Sequence, residues 1–205
     1  MAAHHPDSGV HSWTDEPHLY RNKKFLHGFE HLAQAKLSFD AWVYSHQIND
    51  VIELAQTFPE TPIVLDHVGT PVGLFGQVGK TTGKTEQQRQ QIFSQWQIAI
   101  AALAECPNVY IKLSGLFMPV LGHTFHQQRQ LATKDALIER AVPLIQHVLQ
   151  CFGTERSMFA SNFPMDRVSS SLVNIIDAFS DIVYAHHPDA LKTVFYDNAK
   201  RFYQL

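Results

Sequence analysis

Cysteine is scarce in this chain. Only Cys106 and Cys151 occur among 205 residues, and they stand singly, one near an expected helix end and one within a helix. That is the pattern of buried reduced thiols, and it makes the cytoplasm the expected compartment. Long apolar runs are missing as well: no window of eighteen apolar residues exists, which excludes a transmembrane helix. The opening residues, MAAHHPDSGVHSW, have neither the basic nor the apolar stretch of a secretory signal. No excess of one charge sign is available, since 16 Lys and Arg face 19 Asp and Glu for a net charge of −3. Without a basic stripe, nucleic acid and anionic membrane are not expected partners, and a small-molecule substrate is. The chain holds no internal repeat, no low-complexity segment and no Gly-x-Ser-x-Gly elbow, so a serine nucleophile is not expected. Its length and its 45% hydrophobic content suit one domain over residues 1–205.

What the chain has in quantity is histidine, thirteen in all, and a repeated pattern of short strands that end on polar residues. FDAWVYSHQ (39–47), IVLDHVGTP (63–71), VYIKLSGL (109–116) and MFASNFPMD (158–166) each begin apolar, β-branched or aromatic and stop on polar groups. Pro164 forbids continuation of the last one. Strands are expected at Phe39–Tyr44, Ile63–Leu65 or Asp66, Val109–Leu113 and Ser157–Ala160. Between and around them, apolar residues at helical spacing predict helices at Phe25–Leu37, Ile48–Phe58, Glu86–Glu105, Asp135–Phe152 and about Ser169–His186, with a terminal helix from Pro188. Gly153 suits the C′ position of the fourth. Residues 1 to about 24 read as loop, and the stretches 69–83 and 114–133 as long loops over the strand ends. Strands alternating with helices imply a parallel α/β sheet in the order of the chain. In such folds chemistry gathers at the carboxyl ends of the strands.

His67 is the strongest candidate, because it follows Ile63–Asp66 where an imidazole enters the mouth of a barrel. The competing reading is a histidine merely packed at a strand end. His46 closes the preceding strand in the same way. The two imidazoles could share a divalent metal such as zinc, or one could act as a base toward water. Asp66 points away from His67 if the pleat persists, and reads as the partner of a helix or of the amino-terminal loop. Lys112 alternates with Ile111 and Leu113. It is either an inward lysine that needs an anionic partner or substrate, or a rim residue. Ser114 and Gly115 could offer a hydroxyl and backbone N–H groups to a substrate oxygen. Asn162 stands where a water-activating metal site would want a carboxylate, and an amide cannot serve as a base. Asp166 reads as the start of a helix. His126, in the loop Gly122–His126, is a candidate substrate contact, whereas His4, His5, His11 and His18 read as solvated loop.

At these residues the chain resembles the amidohydrolase-related family of TIM-barrel hydrolases, the group that contains sugar lactonases. The matching segments are FDAWVYSHQ, LDHVGTP, AECPNVYIKLSG, MPVLGHTFH, FASNFPMD and DNAKRFYQL, in order and over essentially the whole chain. The resemblance implies the carboxyl-terminal part of a (β/α)8 barrel. His46 would fall at the fifth strand end, His67 at the sixth, Lys112 on the seventh and Asn162 on the eighth. Two departures stand out: the family's first strand with its His-x-His pair is missing, and Asn162 replaces the usual aspartate. The implied activity is hydrolysis of a lactone or similar cyclic ester, with His67, His46 and Asn162 as catalytic residues and Lys112, Ser114 and His126 binding substrate. His46 and His67 would be the ligands of a zinc ion, if the activity uses metal. The wider superfamily also contains decarboxylases of aromatic or muconate-type acids, and an inert half barrel is the third alternative. Four strands with raw edges also make a homo-oligomer an expectation.

Overall fold

The computed structural model describes residues 1–205. Four strands form a single parallel sheet in the order of the sequence, as the alternating pattern predicts: β1 (Phe39–Ala41), β2 (Ile63–Leu65), β3 (Val109–Leu113) and β4 (Ser157–Phe159). Helices cross between them: α1 (Lys23–Gln34), α2 (Ile48–Thr57), α3 (Glu86–Ala104), α4 (Lys134–Phe152), α5 (Leu172–His186) and α6 (Asn198–Tyr203). Local signals fix most helix starts. Asn22, Thr85, Thr133 and Ser171 each accept a backbone N–H of the first turn through the side chain, satisfying donors that otherwise have no partner.

The sheet is two-faced because side chains alternate along each strand. Ile63, Leu65, Val109, Ile111 and Leu113 pack with Val51 and Leu54 of α2, Ile100 and Leu103 of α3, Ile145 and Val148 of α4 and Ile175 and Phe179 of α5 in one core. On the other face, Val64 and Met158 are buried beneath Phe202 of α6, with Tyr110 and Tyr203 beside them. That face is therefore covered by the chain's own last helix at one end. α6 is anchored there by buried Asn198, whose amide donates to Thr154 O and Ser157 O at 2.7 Å each.

Three boundaries differ from expectation. β1 stops at Ala41 rather than Tyr44, because the Trp42 carbonyl accepts the Ala2 N–H at 3.0 Å. The chain beyond Ala41 thus pairs with the amino-terminal segment instead of with β2. α5 starts at Leu172 rather than near Ser169, since the buried Ser169 and Ser170 hydroxyls donate to Phe117 O and Ala132 O. The terminal helix from Pro188 is not continuous. It runs as a 3₁₀ turn at Pro188–Ala190, a π turn at Thr193–Asp197 and then α6.

The first eighteen residues have no helix or strand but are tied down. Gln47 accepts from His4 N and Tyr44 N and donates to Ala2 O and Pro17 O, all between 2.8 and 3.2 Å. Asp7 receives the backbone N–H groups of Gly9, Lys80, Thr81 and Thr82 and the hydroxyls of Thr81 and Thr82. Those donors hold its carboxyl well below the usual carboxylate range. The segment is thereby clamped to the long loop after β2. No helix is long and apolar enough to cross a membrane.

Candidate active site at the strand ends

The turn after β2 is the most strained part of the backbone. His67, Val68 and Thr70 have φ of +55°, +46° and +39°, a region that L-residues avoid and a β-branched residue avoids most. Neighbours hold it there. The Trp42 indole N–H donates to Thr70 Oγ1 at 3.0 Å, and the buried Trp96 indole N–H donates to the Val68 carbonyl at 2.8 Å. Strain of this kind persists only where surrounding contacts overdetermine it, and it clusters at functional sites. Asn162, at the end of β4, also has a positive φ, +52°.

The turn delivers His67 to the end of β3. Its Nδ1 lies 2.8 Å from Ser114 Oγ, and its ring meets the edge of Trp42 with centroids 5.7 Å apart. Close approach requires glycine next door: a Cβ on Gly115, which has φ +64°, would sit 2.6 Å from His67 Cγ. Burial lowers the imidazole pKa to about 4, helped by the Lys112 ammonium and opposed by Asp40. His67 is thus neutral at physiological pH, as an acid–base or hydrogen-bonding group requires.

Lys112 does not stand free for a substrate. Its ammonium contacts Asp40 at 2.5 Å and Asp66 at 2.9 Å, and it sits over the Tyr203 ring at 5.5 Å. The Asp40 carboxylate also accepts the Tyr203 hydroxyl at 2.9 Å. Burial alone would lower the lysine pKa, but the contacts with Asp40, Tyr203 and Asp66 outweigh it and raise the value. The strand register explains the contact, because pairing Leu65 with Ile111 brings Asp66 alongside Lys112. Asp66 is therefore a counter-ion of the lysine, and the chain's amino terminus acts on it as well.

At β4, the Asn162 amide donates to Asp166 Oδ1 at 2.9 Å. Asp166 lies in the first turn of a short 3₁₀ helix, as its position after Pro164 suggests, but its side chain is sealed in. It is 1% exposed, in a 3₁₀ turn at Met165–Val168. Burial pushes its carboxyl up to about 7, against the hydrogen bonds from Asn162 and the Phe117 backbone. The sequence gives Asp166 a helix position but no cue to its burial or to its contact with Asn162. The carboxylate expected at the fourth strand end is thus present one step behind the amide.

The other candidates lie elsewhere. His46, on the 3₁₀ turn Ser45–Gln47, lines a separate cavity of about 200 Å³ with His5, Val72, Thr82 and Trp96. The rings of His5 and His46 meet edge to face at 5.2 Å, so His5 is not simply solvated. Ser114 is fully buried and reaches His67 rather than open space. His126 is exposed, with Gln127 as its hydrogen-bond partner. The loop histidine turned inward is His123, 5% exposed between Phe75 and Phe125. Nowhere do three His, Cys, Asp or Glu side chains assemble as metal ligands. His67 is not among the residues lining the cavity that holds His46.

Comparison with known proteins places this geometry in context. A family model described as amidohydrolase matches residues 2–205. The uncharacterized protein y4mH of Sinorhizobium fredii is 32% identical over 197 residues, which are 96% of this chain and 57% of that protein. An L-fucono-1,5-lactonase of Burkholderia ambifaria is 26% identical over 200 residues, 94% of this chain and 57% of that one. Among solved structures, an amidohydrolase from Burkholderia multivorans with bound zinc superposes with a TM-score of 0.77 at 19% identity. That match covers 94% of this chain and 62% of the other. The chain spans little more than half the length of the curated relatives it matches.

Proposed function

The chain belongs to the amidohydrolase family, and from that premise we propose that it serves the hydrolysis of a lactone or related cyclic ester at the ends of β2, β3 and β4. Water adds its oxygen to the acyl carbon, the ring C–O bond breaks, and the leaving oxygen takes up a proton. The product is a hydroxy acid, which releases a proton to solution at neutral pH. The observation that carries this reading is His67: a neutral imidazole on a strained, doubly braced turn, its Nδ1 engaged by a buried serine. Its remaining nitrogen, Nε2, has no hydrogen-bond partner in the chain and is free to meet a reacting oxygen.

Asn162 is the second polar group of the site, fixed by Asp166 so that its amide oxygen faces away from that carboxyl. An amide and a neutral imidazole suit an uncharged ester better than a dianionic acid. Asp40 and Asp66 neutralise the lysine nearest the site. The relative named a lactonase supports the same substrate class.

The test is product analysis with the purified protein. It is incubated with a panel of sugar 1,5- and 1,4-lactones and, separately, with aromatic and muconate-type acids. Formation of hydroxy acid from a lactone supports the reading. Release of carbon dioxide from an acid, with every lactone untouched, overturns it in favour of a decarboxylase.

A further inference from the structure

The Ser114 hydroxyl is fully buried, and its hydrogen bond in the structure is the one to His67 Nδ1 at 2.8 Å. A hydroxyl carries one proton and needs an acceptor for it, whereas a neutral imidazole has one donor and one acceptor nitrogen. If Nδ1 carried the ring proton, it would donate to Oγ and leave the serine proton buried without a partner. If Ser114 donates to Nδ1, both groups are satisfied. A buried site resolves such a conflict in favour of the paired arrangement.

We infer that Ser114 is a positioning residue that locks His67 as the Nε2–H tautomer, so that His67 offers the substrate a proton donor and not a basic lone pair. The rest of the pocket agrees. Gly115 lets the imidazole lie against the β3 end, where any Cβ would collide with the ring at 2.6 Å. Trp42 closes on the ring from the β1 side. With Nδ1 occupied, Nε2–H is the group that meets the carbonyl or ring oxygen of a cyclic ester, where negative charge develops as the tetrahedral intermediate forms and collapses. His67 then stabilises that oxygen, and removal of the water proton belongs to another group.

The functional consequence rests on the hydrolase reading, but the tautomer does not. Long-range proton–nitrogen NMR on protein labelled with nitrogen-15 histidine reads which ring nitrogen is protonated, and His67→Gln identifies the His67 signals among the thirteen histidines. The expected result at pH 7.5 is an unprotonated Nδ1, shifted toward lower frequency by an accepted hydrogen bond, and a protonated Nε2. Ser114→Ala should return Nδ1 to the frequency of a free acceptor nitrogen. Ser114→Thr, which keeps the hydroxyl, should restore the wild-type shift. A protonated Nδ1 in the wild type, or an Nδ1 frequency unchanged in Ser114→Ala, overturns the inference whether or not any lactone is turned over. Should Ser114→Ala fail to fold, the wild-type protonation pattern and the Ser114→Thr spectrum still decide it. Loss of lactone hydrolysis in a wild type with the expected spectrum would instead count against the hydrolase reading alone.

Discussion

Asp166→Asn isolates the buried carboxyl behind Asn162. The asparagine oxygen can still accept the Asn162 amide, so the hydrogen bond at 2.9 Å survives while the titration disappears. In the wild type, burial raises the carboxyl pKa from 3.8 to about 7. The folded state therefore holds this proton more tightly than the unfolded chain does. Stability from this group is complete below the unfolded pKa near 4 and is lost as pH rises toward 7. The full difference corresponds to about 4 kcal/mol, a large share of a domain's stability of about 5–15 kcal/mol. Urea unfolding at intervals from pH 4 to pH 8 measures it. The expected result is wild type and variant close together at pH 4, with the variant gaining progressively and leading by several kcal/mol at pH 8. Histidine titrations are common to both proteins and cancel in the difference. A stability difference that does not vary with pH would show that Asp166 is not the buried, proton-holding group described.

Three further outcomes are expected. Lys112→Met strands Asp40 and Asp66 as neighbouring like charges and should cost about 2 kcal/mol, below the usual penalty for a buried pair because Asp40 is 41% exposed; chemical denaturation of Lys112→Met with and without Asp66→Asn should show the second change recovering part of the loss. Gly115→Ala forces a Cβ into His67 and a side chain onto a left-handed residue, and should cost at least about 1–2 kcal/mol while displacing the imidazole, read as a lower Tm and an altered His67 NMR signal. Asp7→Ala releases the donors of residues 80–82, and limited proteolysis should cut the loop between Gln77 and Lys84 faster than in the wild type.

Much of the architecture is legible in the chain because its strands are short, apolar and closed by polar residues, and the helices of the second and third crossovers carry side-chain caps. The order β1–β4 follows from that alone. What is not legible is contact between segments far apart in sequence. β1 is shorter than its apolar run because a backbone group 40 residues away takes the Trp42 carbonyl. Asp66 and Lys112 meet through register, which neither strand encodes by itself. Asp166 is legible as a helix start, but only the fold shows it sealed at the β4 end. Asp7 carries a local cue, since an aspartate two residues before Gly9 forms a turn that caps the glycine N–H. Its second role, gathering the donors of Lys80, Thr81 and Thr82, has none.

His67, on the proposed reading, works on a reacting ester oxygen at the strand ends. The most direct measurement is the rate of proton release from a hydrolysed sugar lactone, followed with a pH indicator, for the wild type and His67→Ala at equal folded concentration. The variant should be slower by about a hundredfold or more, the scale of a lost donor to a developing oxyanion, with most of the loss in kcat rather than KM. Equal rates in the two proteins, or no lactone hydrolysis by the wild type above the spontaneous rate, would contradict it.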